Sequence, residues 1–556
     1  MNLQSTAYYK WLYIFIALAV AVNFSGLFIT IIGPDGTYYA GIAKTMVWRH
    51  DFVNLYVQGT DFLDKPHFPF WITALSYELF GIKTWAYKLP GILFMLMGAL
   101  YTYRFAIKLY QSKEVALWSV LILLTAEHII ISSNDVRAEP YLTGLIIASI
   151  YHFYRTTDKT RLGHLLLASM FAAMAIMTKG MFALIPIGGA IGGHLLITRA
   201  WPQLFHWRWL LAIILISVMI LPEVYCLNVQ FDSHPEKVVF GQHAVSGIKW
   251  FLWDSQIGRF FNNGPIKGNG DPFFFVHTLL WAFLPWSLLL FACLFWSIKA
   301  NVKQAQRYQW HCLCGSLLTF LVFSASKFQL PYYLNIVFPL FAIQLAYFLR
   351  NLKKEKSLKA VNITQRIVMT LLLVVIMALQ YFFKPGPSSW TIFAVLAVLL
   401  LIVFRAVRKT SAYGLTRTML QTVAVAFFVN LYLNLVFYPA LLHYQSGSEA
   451  AFYINQHNTN NLPVAQTGDN YNFPLEFYLN KPLITIDPNG HDTTTAKPFI
   501  LYGDHQVIEG LRKQGWKIRQ LSTFNQYWIS MLKPKFLNAA TRSEVVTHSD
   551  VVLVTP

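Results

Sequence analysis

The sequence carries little charge. Only 12% of its 556 residues are Asp, Glu, Lys or Arg, about half of the share that is usual in a soluble globular domain. This shortage excludes an ordinary soluble enzyme, and the 16% of aromatic residues exclude an intrinsically disordered chain. With only four cysteines, a disulfide scaffold is excluded as well.

The sequence also lacks the short motifs of nucleotide sites and of several common active sites. It has no Walker A loop, no GxGxxG fingerprint, no GxSxG elbow and no CxxC metal motif. Nothing in the sequence therefore supports a nucleotide-sugar or ATP site.

Long apolar stretches are abundant instead. A bilayer span needs about 20 mostly apolar residues, and such stretches predict a polytopic α-helical membrane protein. We predict about thirteen transmembrane helices, near residues 11–32, 88–107, 115–133, 138–154, 163–178, 180–198, 208–228, 273–298, 309–325, 331–349, 365–383, 390–406 and 417–438.

The basic residues set the predicted orientation. The net charge is +19. If the N-terminus is inside, 20 Lys and Arg residues lie in the seven short segments that would face the cytoplasm, against four in the short outer turns. The charge excess is therefore assigned to membrane topology, and no nucleic-acid partner is expected. Two long loops, at about 33–87 and 229–272, then lie on the outer side.

The composition changes after residue 439. Asn, Asp, Thr, Gly and Pro clusters separate short β-like runs at 483–486, 498–502 and 551–554, and a helix is plausible near 504–514. We therefore predict a transmembrane domain over 1–439, with interfacial helices in its first outer loop. A small α/β domain over 440–556 is predicted on the outer side.

Charged residues gather at the outer ends of the predicted spans. A transporter tends to place ionisable residues deep within its spans, and these spans are nearly free of them. The distribution favours a site at the outer membrane interface. A lipid or polysaccharide transporter and a non-catalytic assembly protein remain the alternatives.

Two outer motifs carry the first candidate residues. Asp35 precedes an amphipathic stretch that predicts an interfacial helix, although it could be a simple turn residue. Lys65, which two nearby prolines follow, is suited to a lipid phosphate or to snorkelling at a headgroup. Asp64 and His67 are three residues apart and are candidate ligands of a divalent metal.

Three further outer segments are polar. Arg137 and Glu139 could form the wall of a sugar or headgroup site, or, together with Asp135, an ion-pair cluster that fixes the loop. Arg259 lies in the aromatic segment 250–261, which suits a sugar phosphate or an interfacial aromatic belt. Lys327 lies in the polar corner from Ser324 to Tyr333.

Taken in order, these motifs resemble those of the type C, polyprenyl-phosphate-dependent glycosyltransferases. The similarity is greatest to the aminoarabinose transferase of lipid A and the related protein O-mannosyltransferases. The resembling motifs are Asp35 with Tyr39-Ala40-Gly41-Ile42-Ala43, Asp64-Lys65-Pro66-His67, Arg137 with Glu139, Thr178-Lys179-Gly180, Arg259-Phe260, Leu284-Pro285-Trp286, and Ser324 to Tyr333.

The resemblance implies a function and a location. It implies an inverting transfer from a polyprenyl-phosphate-linked sugar to a lipid A-like, protein or glycan acceptor at the periplasmic face of a bacterial inner membrane. No cofactor is expected to be required, although a divalent metal could bind at Asp64. Membrane lipids are expected partners, and the chain is expected to be a monomer.

The resemblance also assigns roles to residues. Asp35 is similar to the catalytic acid/base, and Lys65 and Arg259 take the positions that bind the donor phosphate. Tyr332 or Tyr333 falls near the same phosphate. The remaining cavity candidates are Arg137, Glu139, Lys179 and Lys327.

Overall fold

The computed structural model describes residues 3–157, 161–301, 309–410, 414–468, 472–487 and 497–556. Most of these residues are helical. The first helices are α1 (Leu3–Phe24), α2 (Gly33–Arg49), α3 (Phe68–Phe80), α4 (Thr84–Tyr110), α5 (Lys113–Leu124), α6 (Glu127–Asn134), α7 (Ala138–Tyr154), α8 (Leu162–Lys179) and α9 (Leu184–Ile197). The next are α10 (Trp201–Leu204), α11 (Arg208–Met219), α12 (Leu221–Leu227), α13 (Gly247–Lys249), α14 (Arg259–Phe261), α15 (Phe274–Ala282), α16 (Ser287–Asn301) and α17 (His311–Ala325).

The remaining helices are α18 (Phe338–Asn351), α19 (Glu355–Phe383), α20 (Ser389–Thr410), α21 (Gly414–Tyr432), α22 (Tyr438–Leu442), α23 (Ser446–His457), α24 (Phe473–Tyr478), α25 (His505–Lys513) and α26 (Pro534–Leu537). Two short hairpins interrupt the outer loops, with strands β1 (Tyr56–Val57), β2 (Thr60–Asp61), β3 (Val238–Val239) and β4 (Gln242–His243). A π-helical stretch, Trp250–Gly258, joins α13 to α14. We call the continuous segment 247–261 the outer helix.

Several helices are long and apolar enough to cross a membrane. Among the described residues there are seven, or eight if the bent pair α5 and α6 forms one span. The seven segments are Thr84–Tyr110, Leu162–Lys179, Trp201–Asp232, Pro331–Asn351, Glu355–Phe383, Ser389–Lys409 and Gly414–Leu442. A polytopic helical membrane protein is therefore confirmed. Four further apolar helices are shorter than a span, so the number of thirteen stays a prediction.

The exposed apolar side chains fit a lipid environment. Helix α20 is the clearest case, because Val395, Val398, Leu401 and Ile402 are all exposed along it. A soluble protein would bury so continuous an apolar face, whereas lipid tails solvate it.

Helix α2 covers the stretch in which the sequence predicted a helix, with Tyr39, Ile42, Ala43 and Met46 buried. Ala40, Gly41 and Lys44 are buried as well, so the helix is enclosed on more than the one face that was expected. It begins at Gly33, whose φ of +75° favours a residue without a Cβ atom. Its start is held by the C-terminal segment, because the Gly33 amide donates to the Gln445 side chain at 3.0 Å. The Ile31 amide just before it donates to the Tyr478 hydroxyl at 2.9 Å.

Lys44 joins the middle of α2 to the C-terminal segment through hydrogen bonds. Its buried ammonium donates to the backbone carbonyls of Glu476, Phe477 and Leu479 at 2.6–2.8 Å. A short helix leaves its last carbonyls without intrahelical partners. Lys44 therefore caps α24 from outside and joins it to the helix that carries Asp35.

The C-terminal segment contains a five-stranded sheet in the order β6-β5-β7-β9-β8. The strands are β5 (Val464–Thr467), β6 (Leu483–Ile486), β7 (Phe499–Asp504), β8 (Ile518–Gln526) and β9 (Thr547–Val554). β6, β5 and β7 are parallel, and β9 is antiparallel to both β7 and β8.

Neighbouring residues of the sheet face opposite layers. Val464 and Ile500 pack with helices α23 and α24, whereas Ala465 and Leu501 pack with α25. The predicted strand run at 483–486 coincides with β6, and the predicted helix with α25. The turn signal Asp487-Pro488-Asn489-Gly490 lies mostly outside the described residues. The division into domains at residue 439 stays a prediction.

Candidate functional site

Most of the predicted site residues meet in one cavity of about 190 Å³. Its charged lining residues come from α2, the loop before α3, the start of α7, the end of α8 and the outer helix. They are Asp35, Asp64, Lys65, Arg137, Glu139, Lys179 and Arg259. Segments more than 200 residues apart in the chain thus form a single polar wall.

Asp35 lies in the first turn of α2 and reaches the cavity with a half-exposed side chain. Its Oδ2 accepts a hydrogen bond from Arg137 Nη1 at 2.5 Å. The same guanidinium donates from Nη2 to Asp135 at 2.5 Å. Burial alone would lower the pKa of Arg137, but the neighbouring carboxylates of Asp135 and Asp35 raise it. Arg137 therefore stays charged and fixes the direction of the Asp35 carboxylate.

Lys65 and Arg259 meet at Asp64. The Lys65 ammonium lies 2.6 Å from Asp64 Oδ2, and Arg259 Nη2 donates to Asp64 Oδ1. Burial opposes ionisation of Asp64, but the two cations prevail and lower its pKa to about 2. Arg259 Nε is buried and has no hydrogen-bond partner among the described residues. This cation pair can therefore accept an anion with only one carboxylate to displace.

Lys179 forms the second ion pair of the cavity, with Glu139. Its position depends on Gly180, which ends α8 with a φ of +93°. A Cβ atom there would lie 2.6 Å from the side chain of Gln256, whose amide donates to the Lys179 carbonyl at 2.9 Å. This contact explains the glycine of the Thr178-Lys179-Gly180 motif.

Tyr332 and Tyr333 both line the cavity, so the structure brings together both of the tyrosines that the resemblance left open. Arg137 lies over the Tyr332 ring, 4.4 Å from its centre. Lys179 lies 3.8 Å from the centre of the Tyr333 ring. Cation–π contacts of this kind hold the rings against the charged wall.

An adjoining cavity of about 70 Å³ has an apolar wall. It shares Lys65, Arg259 and Tyr333 with the first cavity. Its further lining residues include Leu142, Phe182, Ala183, Phe323 and Ile336. A small cavity with an apolar wall beside two cations is suited to a lipid phosphate and the first carbons of its chain.

Two predictions do not fit the structure. Lys327 is exposed and lines neither cavity, because the corner that carries it turns its side chain to the surface. Asp64 and His67 do not converge on a metal, because both His67 ring nitrogens already have partners. Nδ1 contacts Glu223 at 3.0 Å and Nε2 contacts the Val53 carbonyl at 2.9 Å.

No cluster of three or more His, Cys, Asp and Glu side chains suited to a metal occurs in the described part of the chain. Asp64 is committed to Lys65 and Arg259 instead. A metal requirement stays an untested prediction.

Sequence reasoning missed the bridging role of Asp64 and the role of Asp135. Asp135 was considered only as a member of a loop-fixing cluster with Arg137 and Glu139. In the structure that cluster divides, since Arg137 pairs with Asp135 and Asp35, whereas Glu139 pairs with Lys179. The signal available for Asp64 was its position beside a lysine in an apolar setting, where the charge needs a partner.

Comparison with known proteins shows which family and which fold the chain resembles. The family model of dolichyl-phosphate-mannose-protein mannosyltransferases matches residues 64–225. An undecaprenyl phosphate-α-4-amino-4-deoxy-L-arabinose arabinosyl transferase of Edwardsiella ictaluri is 27% identical over 338 residues, which cover 59% of this chain and 57% of that protein. An uncharacterized protein of Aquifex aeolicus is 27% identical over 67% of this chain and 69% of its own length. The chain thus spans just over half the length of the arabinosyl transferase.

The fold has a solved counterpart. The crystal structure of ArnT from Cupriavidus metallidurans bound to undecaprenyl phosphate is similar with a TM-score of 0.74. The match covers 98% of both chains at 19% sequence identity. The resemblance to type C polyprenyl-phosphate glycosyltransferases, noted from the motifs, is thereby confirmed.

Proposed function

We propose that this protein is an integral membrane glycosyltransferase that moves a sugar from a polyprenyl-phosphate donor to an acceptor. The acceptor is a lipid A-like molecule, a protein or a glycan. The reaction takes place at the periplasmic face of a bacterial inner membrane, and the anomeric configuration is inverted. One observation carries the proposal, namely that Asp35 shares a cavity with the cations Lys65 and Arg259.

Donor binding follows from the two adjoining cavities. The isoprene units next to the phosphate lie against the apolar cavity, and the phosphate meets Lys65 and Arg259 in place of the Asp64 carboxylate. The free Arg259 Nε adds a donor for a phosphate oxygen. Arginine binds phosphate through a planar fork of donors, so this contact orients the group as well as neutralising it.

The transfer step uses Asp35 as a base. The acceptor oxygen attacks the anomeric carbon, and its proton passes to the Asp35 carboxylate. The bond between the anomeric carbon and the phosphate oxygen breaks, and its electron pair stays with the polyprenyl phosphate. Lys65 and Arg259 stabilise the negative charge that develops on this leaving group.

The leaving group needs no general acid, because a phosphate oxygen is a weak base. The donor bond itself supplies the driving force, so we expect no nucleotide to be required. Arg137 orients the Asp35 carboxylate from one side, so the acceptor hydroxyl must approach on the cavity side of the carboxylate.

The test is a transfer assay with the purified full-length protein and undecaprenyl-phosphate-linked sugars. Lipid extracts of the protein, analysed by mass spectrometry, identify which donor to supply, and glycolipid and glycoprotein profiles of a deletion strain identify the acceptor. We expect release of undecaprenyl phosphate together with a glycosylated acceptor. Relocation of an intact donor across a proteoliposome membrane, with no sugar transferred, would establish the transporter alternative instead.

A further inference from the structure

We call the two adjoining cavities described above the donor cavity. A separate cleft of about 790 Å³ lies on the other side of the outer helix. The helix presents Trp253, Asp254 and Ile257 to this cleft. It presents Ser255, Gln256 and Arg259 to the donor cavity. One helix thus forms a wall common to both spaces.

The aromatic lining of the cleft suits a carbohydrate. The Trp253 side chain is 59% exposed although it lines a concave surface. Trp250 and Phe240 lie beside it with ring centres 4.5 Å apart. Exposed indole faces in a cleft stack on the apolar faces of sugar rings, while polar groups around them bind hydroxyls.

The polar lining supplies the hydroxyl partners. The Gln242 and Asn263 side chains line the cleft. Both residues are exposed, and their amide groups can donate to and accept from sugar hydroxyls.

The charge of the cleft is positive. Lys249 pairs with Asp254 at 3.5 Å, so these two charges offset each other. Lys267 is exposed at the rim, with no ion-pair partner within the described residues. The uncompensated ammonium favours a sugar that carries an acidic group.

The cleft lies close to the reaction site. Ile266 lines the cavity that contains Asp35, whereas its neighbours Pro265 and Lys267 line the cleft. The Trp250 ring also lies 5.7 Å from the Arg259 guanidinium. A molecule in the cleft would therefore reach the donor site with its adjacent part.

We propose that this cleft binds an acidic saccharide part of the acceptor, with the sugar face on Trp253 and the acidic group at Lys267. The inference rests on the proposed function, since it names the acceptor side of the same reaction. The cleft then sets which acceptors are used, while the cavity with Asp35 and Arg259 carries out the chemistry.

Binding of small probes tests the cleft without the donor. The full-length protein in detergent is titrated with N-acetylglucosamine 1-phosphate, glucuronate and neutral N-acetylglucosamine, followed by saturation-transfer NMR. At least one acidic probe should bind more tightly than the neutral sugar, and the preferred probe tells phosphate from carboxylate. We expect Trp253→Ala and Lys267→Ala each to weaken this binding about tenfold, which corresponds to one hydrogen-bonded or stacked contact.

Trp528→Ala and Lys533→Ala are the matched controls. The Trp528 side chain is 62% exposed and Lys533 is also at the surface, but neither lines the cleft. Equal binding of all probes, or equal losses in the control variants, would overturn the inference. Gel-filtration profiles and undecaprenyl phosphate affinity of the cleft variants should match those of the wild type.

A transfer assay separates the two proposals. If the wild type transfers sugar, the cleft variants should raise the KM for the acceptor and leave kcat nearly unchanged. Transfer with an unchanged acceptor KM in both variants would reject the cleft and keep the proposed function. Probe binding that is lost in both variants, in a protein that transfers no sugar, would keep the cleft as a saccharide site and reject the enzyme.

Discussion

Asp35 accepts a hydrogen bond from Arg137 across 2.5 Å, although the two residues are 102 positions apart in the chain. Arg137 is in turn held by Asp135. The proposed base is therefore oriented by a guanidinium that Asp35 shares with Asp135. Its reactivity depends on an acceptor that approaches from the side left free by Arg137.

We expect Asp35→Asn to lower kcat by about two to four orders of magnitude, the usual contribution of a positioned general base. The amide can still accept a hydrogen bond from Arg137 but cannot take up a proton. The measurement is the rate of undecaprenyl phosphate release with saturating donor and acceptor. Donor affinity should change little.

The matched control is Asp271→Asn. The Asp271 side chain is 52% exposed, close to the 51% of Asp35, and it lies outside the cavity. Its variant should keep the wild-type rate. Near-normal turnover of Asp35→Asn would remove this residue from the catalytic step.

Lys65→Ala and Arg259→Ala should each weaken undecaprenyl phosphate binding by about 10- to 150-fold, the range for hydrogen bonds to a charged group. Each loss leaves Asp64 with one cation instead of two. Fluorescence or calorimetric titration of the lipid phosphate measures the effect.

Lys327→Ala serves as the comparison, because Lys327 belongs to the Ser324 to Tyr333 motif but lies outside both cavities. It should bind the lipid phosphate as the wild type does. A loss as large as that of Lys65→Ala would return Lys327 to the site.

Asp64 should stabilise the protein down to unusually low pH. Its pKa in the folded state is about 2, below the ordinary value of 3.8. The unfolded chain therefore takes up this proton first as the pH falls, and the stabilisation is complete above about pH 4 and lost as the pH falls through about 2.

Thermal unfolding of the wild type and of Asp64→Asn, from pH 7 to pH 2, measures this contribution. The difference in Tm should be constant at neutral pH and should shrink between about pH 4 and pH 2. A difference that closes already near pH 6 would show that Asp64 is not held by its two cations.

Lys44→Met should loosen the contact between α2 and α24. The methionine keeps the apolar stem but leaves three carbonyls without their donor, at a cost of about 1–3 kcal/mol for each buried group left unsatisfied. Hydrogen exchange at residues 473–480 should become faster. Lys83→Met, an exposed lysine of the neighbouring loop, should leave that exchange unchanged, and equal protection in both variants would contradict the role of Lys44.

The motifs, taken in their order along the sequence, predicted many of the residues that line the cavity. Asp35, Lys65 and Arg259 are candidates because they are charged residues beside apolar stretches, within motifs that resemble those of one family. The structure brings all three to one cavity. Their partners were harder to predict. The pairing of carboxylates with cations depends on how loops that are far apart in the chain pack together. The sequence therefore suggested Asp64 as a metal ligand, whereas the structure shows it as the bridge between Lys65 and Arg259.

The fold was predictable where local patterns decide it. The helical spacing of apolar residues after Asp35 predicted a helix where the structure has α2. The β-like run at 483–486 predicted a strand where the structure has β6. His67 shows the limit of such reasoning, because its partner Glu223 is 156 positions away. No spacing within the motif reveals that this histidine is already engaged.

The contacts of Gln445 and Tyr478 with the start of α2 have a consequence for biosynthesis. The helix that carries Asp35 is made early, whereas the side chains that hold its first amides leave the ribosome several hundred residues later. A nascent chain would therefore insert its membrane helices long before the start of the helix that carries Asp35 is held by these contacts. The start of α2 would gain these two hydrogen bonds only after synthesis has passed the segment that contains Tyr478.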